Sequence, residues 1–170
     1  SGYAPTWGAT DDFSISLWFK SATTSPTSDG DFIGAYSTNE YITLEIDGNT
    51  SLCEDTQVMF GIKDSAASNG QYGCTKTTVN DTDWHHVVVT FDVYGDRSIY
   101  FDGTLEDNGP VNADADGIKD FSTTPISIGA YNSEGTNNQF FNGLIDEVKI
   151  WNYALTSEQI KNEYNGGSVS

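Results

Sequence analysis

Positive charge is scarce in this chain: seven Lys and Arg stand against 25 Asp and Glu, a formal charge of −18 over 170 residues. With no basic patch to pair with phosphate, nucleic acid and anionic membrane surfaces are repelled rather than bound. Sulfur is scarce too. Cys53 and Cys74 are the only cysteines, and neither lies in a CxxC pair or a Cys/His cluster of zinc spacing, which sets aside thiol-redox and zinc chemistry. A bond between them would close a loop of about twenty residues and stabilise the fold by roughly 3 kcal/mol by restricting the unfolded chain. A disulfide is expected in preference to free thiols, and with it an oxidising, extracellular or cell-surface setting. No apolar run approaches the roughly 20 residues of a membrane-spanning helix, so no membrane insertion is expected. No signal peptide is visible either, and the expectation is a mature or excised piece of a longer exported protein.

What the chain has in quantity is material for short strands and turns. Apolar residues make up 36% and aromatics 13%, with 17 glycines among many Asn, Asp, Ser and Thr. One core in a chain of this length can bury roughly 70% of the surface exposed on unfolding, so residues 1–170 are read as a single domain. Alternation marks the first strand at 13–19, where Phe13, Ile15, Leu17 and Phe19 share a face. Further strands are expected at 31–36, 41–46, 57–62, from Cys74 onward, and at 85–91, 97–101, 126–130 and 144–151, bounded by Gly, Asn and Asp. The stretch 105–124 reads as a long polar connection. At the C-terminus, Thr156 and Gln159 have capping-box spacing, Ile160 and Tyr164 form an apolar i, i+4 pair, and Gly166 and Gly167 stop the helix. The whole is an all-β chain with one short C-terminal helix.

Five blocks in order carry a family resemblance: DFSISLWF at 12–19, DWHHVVVTFD at 83–92, SIYFDG at 98–103, ISIGA at 126–130 and FNGLIDEVKIWN at 141–152, followed by ALTSEQI at 154–160. In order and spacing they resemble the bacterial laminin-G-like members of the concanavalin A-like lectin/glucanase superfamily. The resemblance implies a two-sheet antiparallel jelly-roll β-sandwich. It also implies an accessory or adhesive module in a larger extracellular protein, often with one structural Ca²⁺. Family members commonly carry an extra strand before the first block, a place occupied here by residues 1–10.

With regular pairing, Asp146 in the last strand shares a face with Leu144, Val148 and Ile150, where a bare carboxylate is costly unless bonded or bound to a cation. The resemblance implies that it contributes to Ca²⁺, a cation suited to hard oxygen ligands. The alternative is an Asp at a bulge, accepting backbone N–H bonds. Glu45 and Asp47 match part of the glucanase carboxylate pattern, but Asn49 and Thr50 stand where a second Glu belongs. Both are therefore read as exposed strand and turn residues, and no enzyme is expected. His85 and His86 point to opposite faces of one strand and are read as packing residues.

Sugar recognition needs an exposed aromatic ring beside planar polar side chains. Tyr131, Asn132, Glu134, Asn137, Asn138 and Gln139 offer that combination in a loop between two strands. Trp7, Trp18, Tyr36, Tyr72 and Tyr94 are further stacking candidates, each expected to cover a sheet edge or pack under a loop. The expected function is a non-catalytic extracellular recognition module for glycans, in which Ca²⁺ could take part. The rivals are an adhesive domain meeting a surface protein and a degraded glycosidase.

Overall fold

The computed structural model describes residues 11–37, 40–48, 52–63, 70–92, 96–110 and 125–166. Strands run in the order β1 (Phe13–Ser21), β2 (Gly30–Ser37), β3 (Glu40–Ile46), β4 (Gln57–Lys63), β5 (Gln71–Thr78), β6 (Trp84–Phe91), β7 (Asp96–Phe101) and β8 (Thr104–Pro110). The short β9 (Ser127–Ile128), β10 (Tyr131–Ser133) and β11 (Thr136–Asn138) follow, then β12 (Gly143–Trp151) and helix α1 (Ser157–Gly166). A five-stranded sheet has the order β12-β1-β6-β7-β8, and a seven-stranded sheet runs β11-β10-β2-β3-β4-β5 with β9 also paired to β2. This is the expected jelly-roll sandwich.

Alternation decides what faces inward. Phe13, Ile15, Leu17 and Phe19 of β1 meet Ile42, Leu44 and Ile46 of β3 and Val58, Phe60 and Ile62 of β4 in one apolar core. Aromatic contacts bind the sheets together: Phe19 stacks on Phe32 at 4.3 Å between centroids, and Phe13 meets Phe60 edge-on at 6.4 Å. A second small cluster of Val88, Leu155 and Ile160 seats α1 on the outer face of the five-stranded sheet. There Tyr164 stacks on Trp18 at 5.6 Å and also meets His86. The helix begins as its sequence requires: Thr156 N–H donates to Gln159 Oε1 at 2.8 Å, and Gln159 N–H donates to Thr156 Oγ1 at 3.3 Å. With α1 covering one outer face, no helix among the described residues packs on the other, that of the seven-stranded sheet.

Cys53 and Cys74 form a disulfide with Cα atoms 5.9 Å apart, tying the β3–β4 connection to β5. Two expected boundaries are corrected. Residues 104–110 form β8 rather than opening a long connection, because Asp102 and Gly103 turn the chain back so that Phe101 pairs with Thr104. The segment 126–130 yields only the two-residue β9, since Gly129 adopts φ 78° and ends the extended run. The remainder of the polar stretch, 111–124, lies outside the described residues.

Candidate functional site

On β3 the residues that do not enter the core are Tyr41, Thr43 and Glu45, and they stand on the outer face of the larger sheet. Antiparallel pairing sets Asp31 of β2 opposite Glu45 and Tyr36 opposite Tyr41. Thr43 Oγ1 donates to Asp31 Oδ1 at 2.5 Å and lies 3.3 Å from Glu45 Oε2. Both acids are buried, Asp31 wholly and Glu45 to within 5% exposure. Burial drives both carboxyls well above the usual range, and the charge of Asp31 pushes Glu45 further. Thr43 joins the two carboxyls, and with both raised the pair holds a proton at neutral pH. Asp31 Oδ2 has no hydrogen-bond partner among the described residues.

Three tyrosines ring this pair. Tyr131 of β10 lies beside Tyr36, with centroids 6.3 Å apart. It can approach because residue 34 is glycine: a methyl group there would sit 2.7 Å from both Asp31 Oδ1 and Tyr131 Cδ2. Burial, aided by Asp31, raises the Tyr131 phenol, and burial, aided by Glu45, raises that of Tyr41. Both remain O–H groups that donate and accept. Tyr72 of β5 stands further along the same sheet, 43% exposed.

The reading of Glu45 and Asp47 as exposed residues is therefore corrected. Glu45 is sealed in by register with Asp31, and Asp47 is buried as a loop organiser, its Oδ2 accepting the N–H of Cys53 at 3.2 Å. Alternation with Ile42, Leu44 and Ile46 already marked Thr43 and Glu45 as a second face. The partnership with Asp31 depends on strand register and could not be read locally.

The predicted sugar loop is a hairpin, β10 to β11, at the edge of the larger sheet. It splits by role. Asn132 is buried in the turn, with Oδ1 accepting from Gly135 N–H at 2.8 Å and Nδ2 donating to Pro125 O at 3.2 Å. Asn137 Oδ1 accepts from Ser127 Oγ at 3.1 Å, and Gln139 Nε2 donates to Asp29 Oδ2 at 3.0 Å. Glu134 and Gln139 take positive φ, 49° and 46°, while Glu134 and Asn138 are exposed. Only Tyr131 turns toward the acid pair. Among the other aromatic candidates, Trp18 is packed under α1, and Trp7 and Tyr94 lie outside the described residues.

Asp146 does not share a face with core residues, because pairing with β1 is irregular. A bulge between Ser16 and Trp18 shifts the register, and Glu147 takes φ 49°, so that Ile145, Val148 and Ile150 pack inward while Leu144 is exposed. Asp146 Oδ1 accepts the N–H of Glu147 at 2.8 Å. Among the described residues, no group of three or more His, Cys, Asp or Glu side chains could hold a metal ion. Among the described residues, the remaining ligands of a Ca²⁺ at Asp146 would therefore be carbonyls and water. Residues 1–10, the place of the family's extra strand, lie outside the described residues.

The histidines face opposite ways. His85 bridges two acids, Nδ1 lying 2.9 Å from Asp102 and Nε2 3.0 Å from Asp81. The Asp102 bond, supported by Asp81, raises its pKa against the effect of burial. His86 is enclosed by Trp18 and Tyr164, and burial lowers it to about 4.

Two stacked sheets, antiparallel but for the β2–β10 contact, with one outer face that no helix covers among the described residues, define a lectin-like sandwich. The chain belongs to the concanavalin A-like lectin/glucanases superfamily, in its laminin-G type, whose family model matches residues 3–161. Among solved structures it is similar to the carbohydrate-binding module CBM40 of the Ruminococcus gnavus IT-sialidase, with TM-score 0.73 and 12% identity over 95% of each chain. It is similar to the binding domain of botulinum neurotoxin DC in complex with rat synaptotagmin II, with TM-score 0.71 and 18% identity over 92% of this chain and 36% of that one. A heptameric SAP-like pentraxin from Limulus polyphemus matches with TM-score 0.65 and 15% identity over 90% and 69%. The chain thus spans about a third of the neurotoxin domain's length, and these likenesses concern the fold.

Proposed function

We propose that the chain is a non-catalytic carbohydrate-binding module of a secreted or surface protein, which meets glycans through the outer face of the seven-stranded sheet. The observation that carries this reading is the trio of Tyr36, Tyr41 and Tyr131 around the proton-sharing pair of Asp31 and Glu45. Phenol rings offer flat apolar faces to sugar C–H groups, and their hydroxyls meet sugar hydroxyls. Lys63, opposite Tyr41, adds a cation to the same face. Two neighbours support the class of ligand: the CBM40 was also solved bound to α2,3-sialyllactose, and a botulinum neurotoxin type C structure concerns two ganglioside molecules. The acid pair argues against hydrolysis. Retaining glycosidases hold two carboxylates about 5 Å apart on either side of the scissile bond, whereas these two are buried and joined through the Thr43 hydroxyl.

A glycan array with Tyr131→Ala and Tyr131→Phe variants tests the reading. Wild type is expected to bind. The alanine variant should lose about tenfold in affinity, roughly one stacking contact, with the phenylalanine variant in between. No hit, with or without Ca²⁺, would favour the adhesive alternative, in which the domain meets a surface protein; the similar neurotoxin binding domain was solved in complex with rat synaptotagmin II.

Calcium at Asp146 is a separate proposal. A cation bound only to the folded state raises stability by RT ln(1 + [L]/Kd), so chelation is expected to lower the melting temperature. An unchanged value, in protein shown to be loaded beforehand, removes the cation from the account.

A further inference from the structure

A pocket lies where the start of β2 meets the segment leading into β12, lined by Gly30 and Ile46 beside the acid pair. It has a volume of about 380 Å³, within the range of roughly 300–1,000 Å³ usual for ligand sites. One wall is the β1–β2 connection, rich in hydroxyls and including Thr27 and Ser28, and the other is the segment 140–142 that leads into β12. Ile46 and Phe141 supply apolar floor, and Phe140 stands at the edge with 65% of its surface in water.

A lone exposed phenyl ring is ordinary, but the backbone that carries this one is held in place. Phe141 is packed edge-on against Phe32 at 4.8 Å and Phe19 at 6.1 Å, so Phe140, next along the chain, is turned outward. Backbone bonds pin both sides of it, from Asp31 N–H to Gln139 O and from Phe141 N–H to Gly129 O, each 3.0 Å. The opposite wall is fastened to the same segment, since Ala22 N–H donates to Asn142 O at 3.0 Å. Asp29 clamps the base, accepting from Gly48 N–H at 3.1 Å and from the side chain of Gln139. The backbone carrying an aromatic ring beside hydroxyls and the Asn142 amide is thus fixed before any ligand arrives, which reduces the backbone ordering cost of binding.

We infer that this pocket is a second glycan subsite that seats one uncharged pyranose ring, its C–H face on Phe140 and its hydroxyls on Thr27, Ser28 and Asn142. Hydroxyl and amide walls suit a sugar better than an apolar partner. Among the described residues no Lys or Arg lines the pocket, Asp29 lies between the lining residues Ser28 and Gly30 in the chain, and the chain carries −18, so an acidic sugar is disfavoured there. The inference rests on the glycan-binding reading above and adds a second, neutral-sugar contact to it.

The test is a titration of isotope-labelled protein with the methyl glycosides of galactose, glucose, mannose and N-acetylglucosamine, followed by amide NMR. Wild type, Phe140→Ala, Asn142→Ala and Tyr131→Ala are compared, together with their behaviour on the glycan array. At least one glycoside is expected to shift the amides of Phe140 and Asn142. Phe140→Ala should weaken that glycoside about tenfold without changing the melting temperature, because the ring is exposed. The inference is overturned if array binding depends on Tyr131 and is untouched by Phe140→Ala. It is also overturned if Phe140→Ala abolishes self-association of a chain that binds none of the glycosides, which would make this edge a contact between copies. Binding lost in Phe140→Ala but kept in Tyr131→Ala supports the pocket and removes the tyrosine face, while no glycan binding by wild type in either assay removes both.

Discussion

Replacing Phe19 with alanine is expected to destabilise the protein by about 3–5 kcal/mol, as for other large-to-small changes in cores. The ring is wholly buried and joins both sheets: it stacks on Phe32 of the larger sheet and meets Phe101 within its own at 6.3 Å between centroids. It also touches Phe141 and His85, so the cavity would be lined by aromatic groups that cannot collapse into it independently. At this chain length the melting temperature should fall by about 2–4 °C for each kcal/mol. Chemical denaturation checks the value. A loss near 1 kcal/mol or less would mean that Phe19 does not bridge the sheets.

The second large effect is on the pH dependence of stability. Asp31 and Glu45 have carboxyls raised by burial, so the folded state binds protons that the unfolded chain releases above the ordinary carboxylate range. Their stabilising contribution is complete below about pH 4, where the unfolded carboxyls are protonated, and is lost as pH rises through the raised folded values. His85, raised by its two acid partners, acts in the same direction, being lost as pH rises through a value above that of ordinary histidine. His86 acts oppositely. Its pKa is lowered to about 4, so its contribution is present above the ordinary value near 6.5 and is lost as pH falls toward 4. Stability should therefore peak at mildly acidic pH. Glu45→Gln, which mimics the protonated acid permanently, should flatten the alkaline limb and recover on the order of a few kcal/mol there. Denaturation midpoints across pH check this. A wild-type limb that Glu45→Gln leaves unchanged would show that the pair does not share a proton.

The fold was legible because the core is written in period two. Phe13, Ile15, Leu17 and Phe19 alternate without interruption, and the Thr156 and Gln159 box is local by nature, so both could be read one residue at a time. The candidate sites were less legible because they are made by register. Asp31 and Glu45 are fourteen positions apart in sequence and meet only because β2 and β3 pair as they do. Asp146 shows the same lesson in reverse: strict alternation places it on the core face, and one bulge with a positive φ at Glu147 changes the phase. In the hairpin, composition singled out a run of polar residues but could not show the division of labour among them. Asn132 and Gln139 are held by Gly135, Pro125 and Asp29, which leaves Tyr131 as the residue that joins the tyrosine face. Phe140 gave no local signal at all, since its exposure follows from Phe141 being anchored in the core.

The sharpest measurement on the central claim is a residue-by-residue map of amide shifts as labelled protein is titrated with the strongest array glycan. The largest changes are predicted in β2, β3 and β10, at Tyr36, Tyr41 and Tyr131 and their neighbours. A bound glycan that perturbs only the α1 side of the sandwich, leaving those strands unmoved, would contradict the account.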